Sequence, residues 1–334
     1  MTDAHDGPNK SRPKSKDDRH QRSSRQFSGA NAASIHRRAF LAAGAAATVL
    51  AGSRASFAQN QLPDAAAPTT SAAMPKTVKV ERLDGSILLI GIARQESDRI
   101  NFSTVVGLGR AYYLLDHDET LRVGVLYAEG PDFVGGVLDA ASWAPVLRTG
   151  RFDPGTREFI NPVGTVPPRR EKPIVVAVQG RTQGAGHELF LAADVRVAAS
   201  DTLFAQPEVT RGHFPAGGAT ITFVRETGWG NAMRYMLTGD EWRADEAYRL
   251  GLVQYVTPPG QQRERAIEVA RKIAAAAPLG VRATLDSANR ALSGGQEAAF
   301  AALLPELGRL AQSEDHQEYF RALREKRTPV YRGR

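Results

Sequence analysis

There is no cysteine in the 334 residues. Disulfides, thiol nucleophiles and cysteine-based metal sites are therefore excluded, and the chain is compatible with an oxidising compartment. The longest Ala-rich apolar run ends well short of the roughly 20 residues that a membrane-spanning helix needs. His, Asp and Glu nowhere gather at metal-ligand spacing, so no metal is expected. Basic and aromatic residues do not interleave as they do along a nucleic-acid groove. Excess positive charge is missing from most of the chain as well. The net charge is +7, but 10 of the 43 Lys and Arg and 4 of the 36 Asp and Glu lie within residues 1–58, so 33 face 32 in the remainder. The high isoelectric point belongs to the N-terminal segment and says nothing about nucleic acid.

That segment reads as a leader. Residues 1–36 are polar and basic without periodicity. Arg37 and Arg38 then precede Phe40, Leu41 and a short Ala-rich apolar run, and Ser56-Phe57-Ala58 forms a small-x-small cleavage pattern before Gln59. Residues 1–58 are read as a twin-arginine signal peptide, which implies a periplasmic location. Residues 59–76, rich in Pro, Ala, Thr and Ser, read as a linker. Met74 opens "MPKTVKVERLDGSILLIGI", so a start at Met74 and a cytoplasmic location stand as the alternative.

The rest of the chain is organised around Pro173 to Pro215. Ile174 to Val178 is a continuous apolar, β-branched run, as in a buried parallel strand. Gly180, Gly184 and Gly186 follow, then a stretch of helical composition from His187 to Ala193. Strand, glycine turn and helix in this order leave N–H groups at the helix N-terminus aimed outward, where they favour negative charge. Glu188 sits in that first turn. It either complements the helix dipole or does chemistry. The second piece, "TLFAQPEVTRGHFPAGGAT", is a short strand, an acidic loop with Glu208, and another glycine-rich turn. His187 reads as structural or pocket-lining, because its neighbour on the helix points about 100° away. His213 lies near the second turn with no role assigned.

Around this stretch, Val78–Arg82 and Ile87–Ala93 read as strands joined at Asp84-Gly85, Phe102–His117 as a helix and Val123–Tyr127 as a buried strand. Residues 144–172 show no periodicity and read as a loop over the substrate pocket. After Gly218 the pattern is helical. Thr220–Thr227, Asn231–Leu237 and Asp245–Leu250 are short, Gly251–Val256 is a strand, and Glu264–Ala277, Gly280–Leu292 and Glu297–Gln312 have 3.6-residue spacing. Ser313-Glu314-Asp315 opens a further helix with an N-cap and acidic first turn.

The two glycine-rich pieces resemble the enoyl-CoA hydratase/isomerase (crotonase) superfamily, which carries "P-x-x-A-x-x-G-x-x-x-G-x-G-x-E-L" followed by "Q-P-E … G … P-x-x-G". Here the matching residues are Pro173, Gly180, Gly184, Ala185, Gly186, Glu188 and Leu189, then Gln206, Pro207, Glu208, Gly212, Pro215 and Gly218. The resemblance runs from about Val78 to the C-terminus. It implies an α/β fold, a crotonase-like ββα spiral core over residues 77–257 with a helical C-terminal trimerisation region over 258–334. It implies Glu188 and Glu208 as the catalytic pair and the N–H groups of Val137 and Ala185 as an oxyanion hole. Ala216 and Gly217 would shape the turn that positions water, and Phe133, Gly135 and Lys326 would meet coenzyme A. The family's "F-x-x-G-x-D" appears as Phe133-Val134-Gly135-Gly136-Val137-Leu138, with Leu138 where the family has Asp and Asp139 one place later. The tail "EKRTPVYRGR" resembles the family's "E-K-R-x-P-x-F", and Lys326 is either the lysine that meets coenzyme A phosphates, often on a neighbouring subunit, or part of a solvated tail.

The expected activity is hydration of a 2-enoyl-CoA thioester with no separate cofactor, coenzyme A being part of the substrate. The expected assembly is a homotrimer or hexamer. Two other readings stand beside it: an exported hydrolase, lyase or isomerase of the same fold acting on a non-CoA carbonyl compound, and a non-catalytic binding protein.

Overall fold

The computed structural model describes residues 74–93 and 99–334. The expected leader (1–58) and the linker up to residue 73 lie outside the described residues.

Strands β1 (Val78–Leu83) and β2 (Ile87–Ile92) form the expected hairpin. Leu83 pairs with Ile87, so Asp84, Gly85 and Ser86 form a three-residue loop in which Asp84 and Gly85 take positive φ, 52° and 74°. A short β3 (Arg99–Ile100) leads to helix α1 (Phe102–His117), capped by the Asn101 side chain, which accepts from Thr104 N at 2.8 Å. β4 (Val123–Ala128), β5 (Val134–Gly135) and β6 (Val137–Leu138) precede helix α2 (Ala140–Thr149). Then come β7 (Ile174–Val178), β8 (Arg181–Gln183), α3 (Ala185–Leu191), β9 (Val195–Ala199) and β10 (Leu203–Ala205). A 3-10 turn at Glu208–Arg211 is followed by α4 (Ala219–Thr227) and α5 (Trp229–Thr238). β11 (Glu241–Arg243), α6 (Ala244–Arg249), β12 (Tyr255–Thr257), α7 (Gln262–Ala274), α8 (Pro278–Gly294), α9 (Gln296–Ala311) and α10 (Glu314–Glu325) complete the chain.

The main sheet runs β1-β2-β4-β7-β9-β12, parallel except for the β1–β2 hairpin. Its inner strands β2, β4 and β7 are apolar at nearly every position because both faces are covered, whereas edge strand β1 carries Lys79, Glu81 and Arg82. Leu88, Ile90, Leu126, Ile174 and Val176 join the core that includes α1 and α3. Their neighbours Ile87, Leu89, Val123, Val125 and Val175 pack on the other face, where Ala266, Ile267 and Ala270 of α7 cover them. A second sheet, β11-β10-β8-β5, is built from the segments that leave the main sheet. This puts the connections after β4 and β7, beyond the carboxyl ends of adjacent parallel strands, where open α/β sheets place their ligands.

Two elements differ from the sequence reading. Residues 140–149 form a helix where no periodicity was visible, since none of its residues is buried and Pro145 lies inside it. Asp139 starts it by accepting from Ser142 N. The strand expected at Gly251–Val256 is only Tyr255–Thr257. Gly251 ends α6 with φ 79°, so the first half of that run is a turn that buries Leu252 and Val253. Helices α9 and α10 leave Phe300, Leu304, Leu307 and Leu323 exposed in this single chain.

One buried charge holds the far end of α3. Arg196 of β9 donates from Nε to Phe190 O at 2.9 Å and from Nη2 to Leu191 O at 2.7 Å, and forks onto the Glu226 carboxylate of α4. These bonds satisfy the last carbonyls of the helix and tie it to the sheet. Replacing Arg196 with Leu removes the fork onto Glu226 and the donor to Leu191 O, while Phe190 O keeps the Ala193 N–H. The expected loss is about 3–5 kcal/mol in urea unfolding. A loss below about 1 kcal/mol would show that the ion pair does not support α3.

Candidate active site

Gly184 is the point on which the site converges. It takes φ 51° and ψ −121°, and a Cβ there would lie 2.8 Å from Glu208 Oε1 and 2.8 Å from Gly136 O. Neither contact nor conformation admits a side chain. Its geometry lets α3 begin at Ala185, two residues earlier than the sequence reading placed the helix. The Ala185 N–H therefore belongs to the first turn, where backbone donors have no intrahelical acceptor.

Glu188 lies one turn into α3 and is 6% exposed. Its Oε1 accepts from Ala219 N at 3.2 Å, and the N–H groups of Gly217 and Gly218 also favour its charged form. A Cβ on Gly217 would fall 2.3 Å from Glu188 Oε2, so the turn over this carboxylate has to be glycine. Burial pushes the Glu188 carboxyl up to about 8, and the charge of Glu208 adds to the rise, against the pull of the three backbone donors. Glu188 is mostly neutral at pH 7.

Glu208 opens the 3-10 turn and is half-buried. Gln206 Nε2 donates to its Oε1 at 3.3 Å, while its Oε2 is buried with no hydrogen-bond partner. Burial raises this carboxyl too, but its own backbone N–H and the Arg211 guanidinium pull it back. The charge of Glu208 is among the causes that raise Glu188, so the two carboxyls are electrostatically linked.

His187 is completely buried, ringed by Phe190, Phe204, Phe223 and Trp242. Its Nδ1 lies 2.6 Å from Gln206 Oε1. An amide oxygen only accepts, so Nδ1 carries the hydrogen. Burial pushes the imidazole down to about 3, and the ring stays neutral. Of the two expectations for His187, the structural one holds. The sequence reading missed that it acts on the site through Gln206, and the Q-P-E motif itself was the signal.

The loop after β4 approaches from the other side. β5 pairs with β8, placing Gly135 opposite Gln183, and β6 pairs with β3. Gly136 has φ 93°, and a Cβ there would lie 2.5 Å from Gln183 Cβ. The Gly136–Val137 peptide thus sits close beside Gly184. Leu138 packs against the core and Asp139 serves as the α2 cap, which accounts for the shift of the acid by one place. Ala216 is exposed and Gly217 half-buried in the turn over Glu188.

One expectation for coenzyme A needs correction, and another depends on a neighbouring subunit. Phe133 is 2% exposed and belongs to the hydrophobic core, and Gly135 is buried within β5, so the Phe133 side chain is not free to meet a ligand. Lys326 is exposed at the end of α10 with φ 55°. Beyond it the tail turns back, and Arg122 Nη2 donates to Tyr331 O at the N-terminal end of β4, opposite the end that leads to the glutamates. The structure does not bring Lys326 to the pair within one chain. Among the described residues no His, Cys, Asp and Glu side chains gather as a metal site, and no helix is long and apolar enough to cross a membrane.

One buried and one half-buried carboxyl near a helix N-terminus and a glycine-shaped peptide are the kinds of group that acid–base chemistry and the holding of charge on a carbonyl oxygen require. Residues 83–334 match the enoyl-CoA hydratase/isomerase family, and the chain belongs to that family. A short-chain-enoyl-CoA hydratase of Clostridium acetobutylicum is 36% identical over 157 residues, 47% of this chain and 60% of that protein, so the match spans less than two thirds of that relative. A carnitinyl-CoA dehydratase of Salmonella typhi is 30% identical over 257 residues, 75% of this chain and 97% of that protein. The crystal structure of a probable enoyl-CoA hydratase/isomerase from Mycobacterium abscessus superposes with a TM-score of 0.74 at 41% identity, covering 77% of this chain and 99% of that one.

The raised Glu188 carboxyl links stability to pH. The folded chain keeps a proton there that the unfolded chain releases near pH 4.5, so stability falls as pH rises from about 4.5 to about 8. Relative to Glu188→Gln, the wild type is expected to lose on the order of 4 kcal/mol between pH 5 and pH 8.5. Urea unfolding of both proteins across this range checks it, and a constant difference would overturn the assignment.

Proposed function

We propose that the chain is an enoyl-CoA hydratase-like hydro-lyase that adds water across the double bond of a 2-enoyl-CoA thioester. The observation that carries this reading is the pair of carboxyls in unlike environments: buried Glu188 under the turn at 217–219, and half-buried Glu208 against Gly184, beside the Gly136–Val137 peptide. Hydratase and dehydratase relatives support it.

The thioester oxygen accepts from the Val137 and Ala185 N–H groups, which hold the enolate-like charge better than the ground-state carbonyl. Water lies between the two glutamates. The ionised carboxylate takes a proton from it, its hydroxyl adds to the β carbon, and the neutral carboxyl gives a proton to the α carbon. The hydroxyl comes from the water and the α hydrogen from the neutral carboxyl, so the substrate gains the elements of one water while the water's second proton stays on the other glutamate. The pair ends with its proton on the opposite glutamate and resets by exchange with water. Elimination is the same path reversed. Coenzyme A is part of the substrate and no separate cofactor takes part.

The full chain is expected to hydrate crotonyl-CoA, and Glu188→Gln and Glu208→Gln each to lose at least about 100-fold in kcat. Loss of thioester binding on Lys326→Ala would support a coenzyme A contact supplied by a neighbouring subunit. Absence of turnover with any enoyl-CoA, long or aromatic chains included, would overturn the hydratase reading.

We further propose that residues 1–58 form a twin-arginine leader and that the mature protein assembles as a homotrimer or hexamer. The order of Arg37-Arg38, apolar run and Ser56-Phe57-Ala58 supports the first. The exposed apolar residues of α9 and α10 support the second. Native protein should begin at Gln59 and sediment at three or six chain masses. A start at Met74 or Pro75 would overturn export, and a monomer at micromolar concentration would overturn assembly.

A further inference from the structure

Arg211 has a place in the site that the hydratase reading leaves unused. It lies three residues after Glu208 in the 3-10 turn, and positions i and i+3 of such a turn eclipse one another. The carboxylate and the guanidinium therefore leave the turn on the same edge. From there Arg211 Nη1 donates to Gly136 O at 2.8 Å. That carbonyl belongs to the same peptide unit as the Val137 N–H. A trans peptide is planar, and its C=O and N–H point in opposite directions. A guanidinium fixed on the oxygen thus sets where the hydrogen points. It also draws electron density toward the oxygen and makes the N–H a stronger donor, since bonds in a chain polarise one another.

We propose that Arg211 is a positioning residue that clamps the Gly136–Val137 peptide and sharpens it as an oxyanion donor. The inference rests on the hydratase reading, with Val137 as one half of the oxyanion hole. The clamp joins the two loops that must agree for the reaction: the loop after β4, which holds the carbonyl oxygen, and the 3-10 turn, which carries Glu208. Gly184 lies between them, with room for neither a side chain nor a wider gap. Arg211 does not touch the reacting atoms. It acts through the peptide it holds.

The test compares the full-length wild type with Arg211→Met and Arg211→Lys. Crotonyl-CoA is used for turnover. Butanoyl-CoA carrying carbon-13 at its carbonyl, which has no double bond to hydrate, is used for infrared spectra of the bound thioester. Arg211→Met is expected to lose about 10- to 100-fold in kcat, part of what removing one oxyanion donor costs. KM should change less than about threefold, and the thermal midpoint should stay near that of the wild type because the side chain lies at the surface. The carbonyl stretch of bound butanoyl-CoA should move back toward its free position. Arg211→Lys, which keeps one charged donor, should recover most of both effects. Wild-type kcat and an unshifted carbonyl band in Arg211→Met would overturn the clamp while leaving hydration intact. So would a kcat loss with the carbonyl band unchanged, which would mark Arg211 as acting on Glu208 alone. A wild type that binds no thioester would overturn the hydratase reading, and the clamp with it.

Discussion

The hardest thing this chain does is to bury a carboxyl at the start of α3 within reach of a second one. An unpaired carboxylate in such a place is unfavourable by several kcal/mol. Among the described residues no cation is paired with Glu188. It is met instead by a protein backbone, the turn at residues 217–219, whose donors stabilise the charged form without neutralising it. Much of the neighbouring sequence follows from this. Gly217 is glycine because a side chain would occupy the space of the carboxylate. Gly184 is glycine because the helix bearing Glu188 has to start between Glu208 and Gly136. Arg196 holds the other end of that short helix, so the carboxyl is placed from both sides.

The two sheets divide the work. The main sheet is a rigid support with apolar residues on both faces and contributes no reacting group. The second sheet, made of β5, β8, β10 and β11, gathers the segments that carry chemistry: β5 leads to the Gly136–Val137 peptide, β8 to Gly184 and α3, and β10 to Gln206 and Glu208. Their parallel pairing fixes the register of one against another. Gly135 lies opposite Gln183, and Gln183 opposite Ala205. A slip of one residue in any of the three would separate the groups that meet at Gly184. The precision of the site is thus a property of strand register more than of loop conformation.

Much of this was legible in the sequence wherever local pattern and tertiary role coincide. Phe102–His117 and Ile174–Val178 were read with their observed ends, because apolar period and capping residues agree there. Glu188 and Glu208 were found through the glycines around them, since backbone geometry that only glycine adopts leaves a mark in the sequence. Elements that depend on distant partners left no such mark. Helix α2 buries none of its residues and carries Pro145 inside it, so neither burial nor composition marks it. His187 is a histidine of ordinary appearance until Gln206 folds against it from β10. Arg211 resembles any surface arginine in the sequence, and its bond to Gly136 spans 75 residues. Phe133 shows the opposite error. A motif residue expected to meet a ligand is in fact the apolar anchor that seats the loop.

The proton shared by the glutamates bears on the direction of the reaction. On the proposed path, hydration leaves one carboxyl ionised, its proton now on the α carbon, and the other protonated by the water. The state after addition is the starting state for elimination, and the geometry at Gly184 serves both equally. The oxyanion donors act the same way in both directions, because the enolate-like structure is common to them. Nothing in the arrangement of Glu188, Glu208 and the two peptides therefore favours hydratase over dehydratase. A hydratase and a dehydratase can appear among the relatives of one chain without contradiction. Direction follows from the relative amounts of alkene and alcohol thioester supplied.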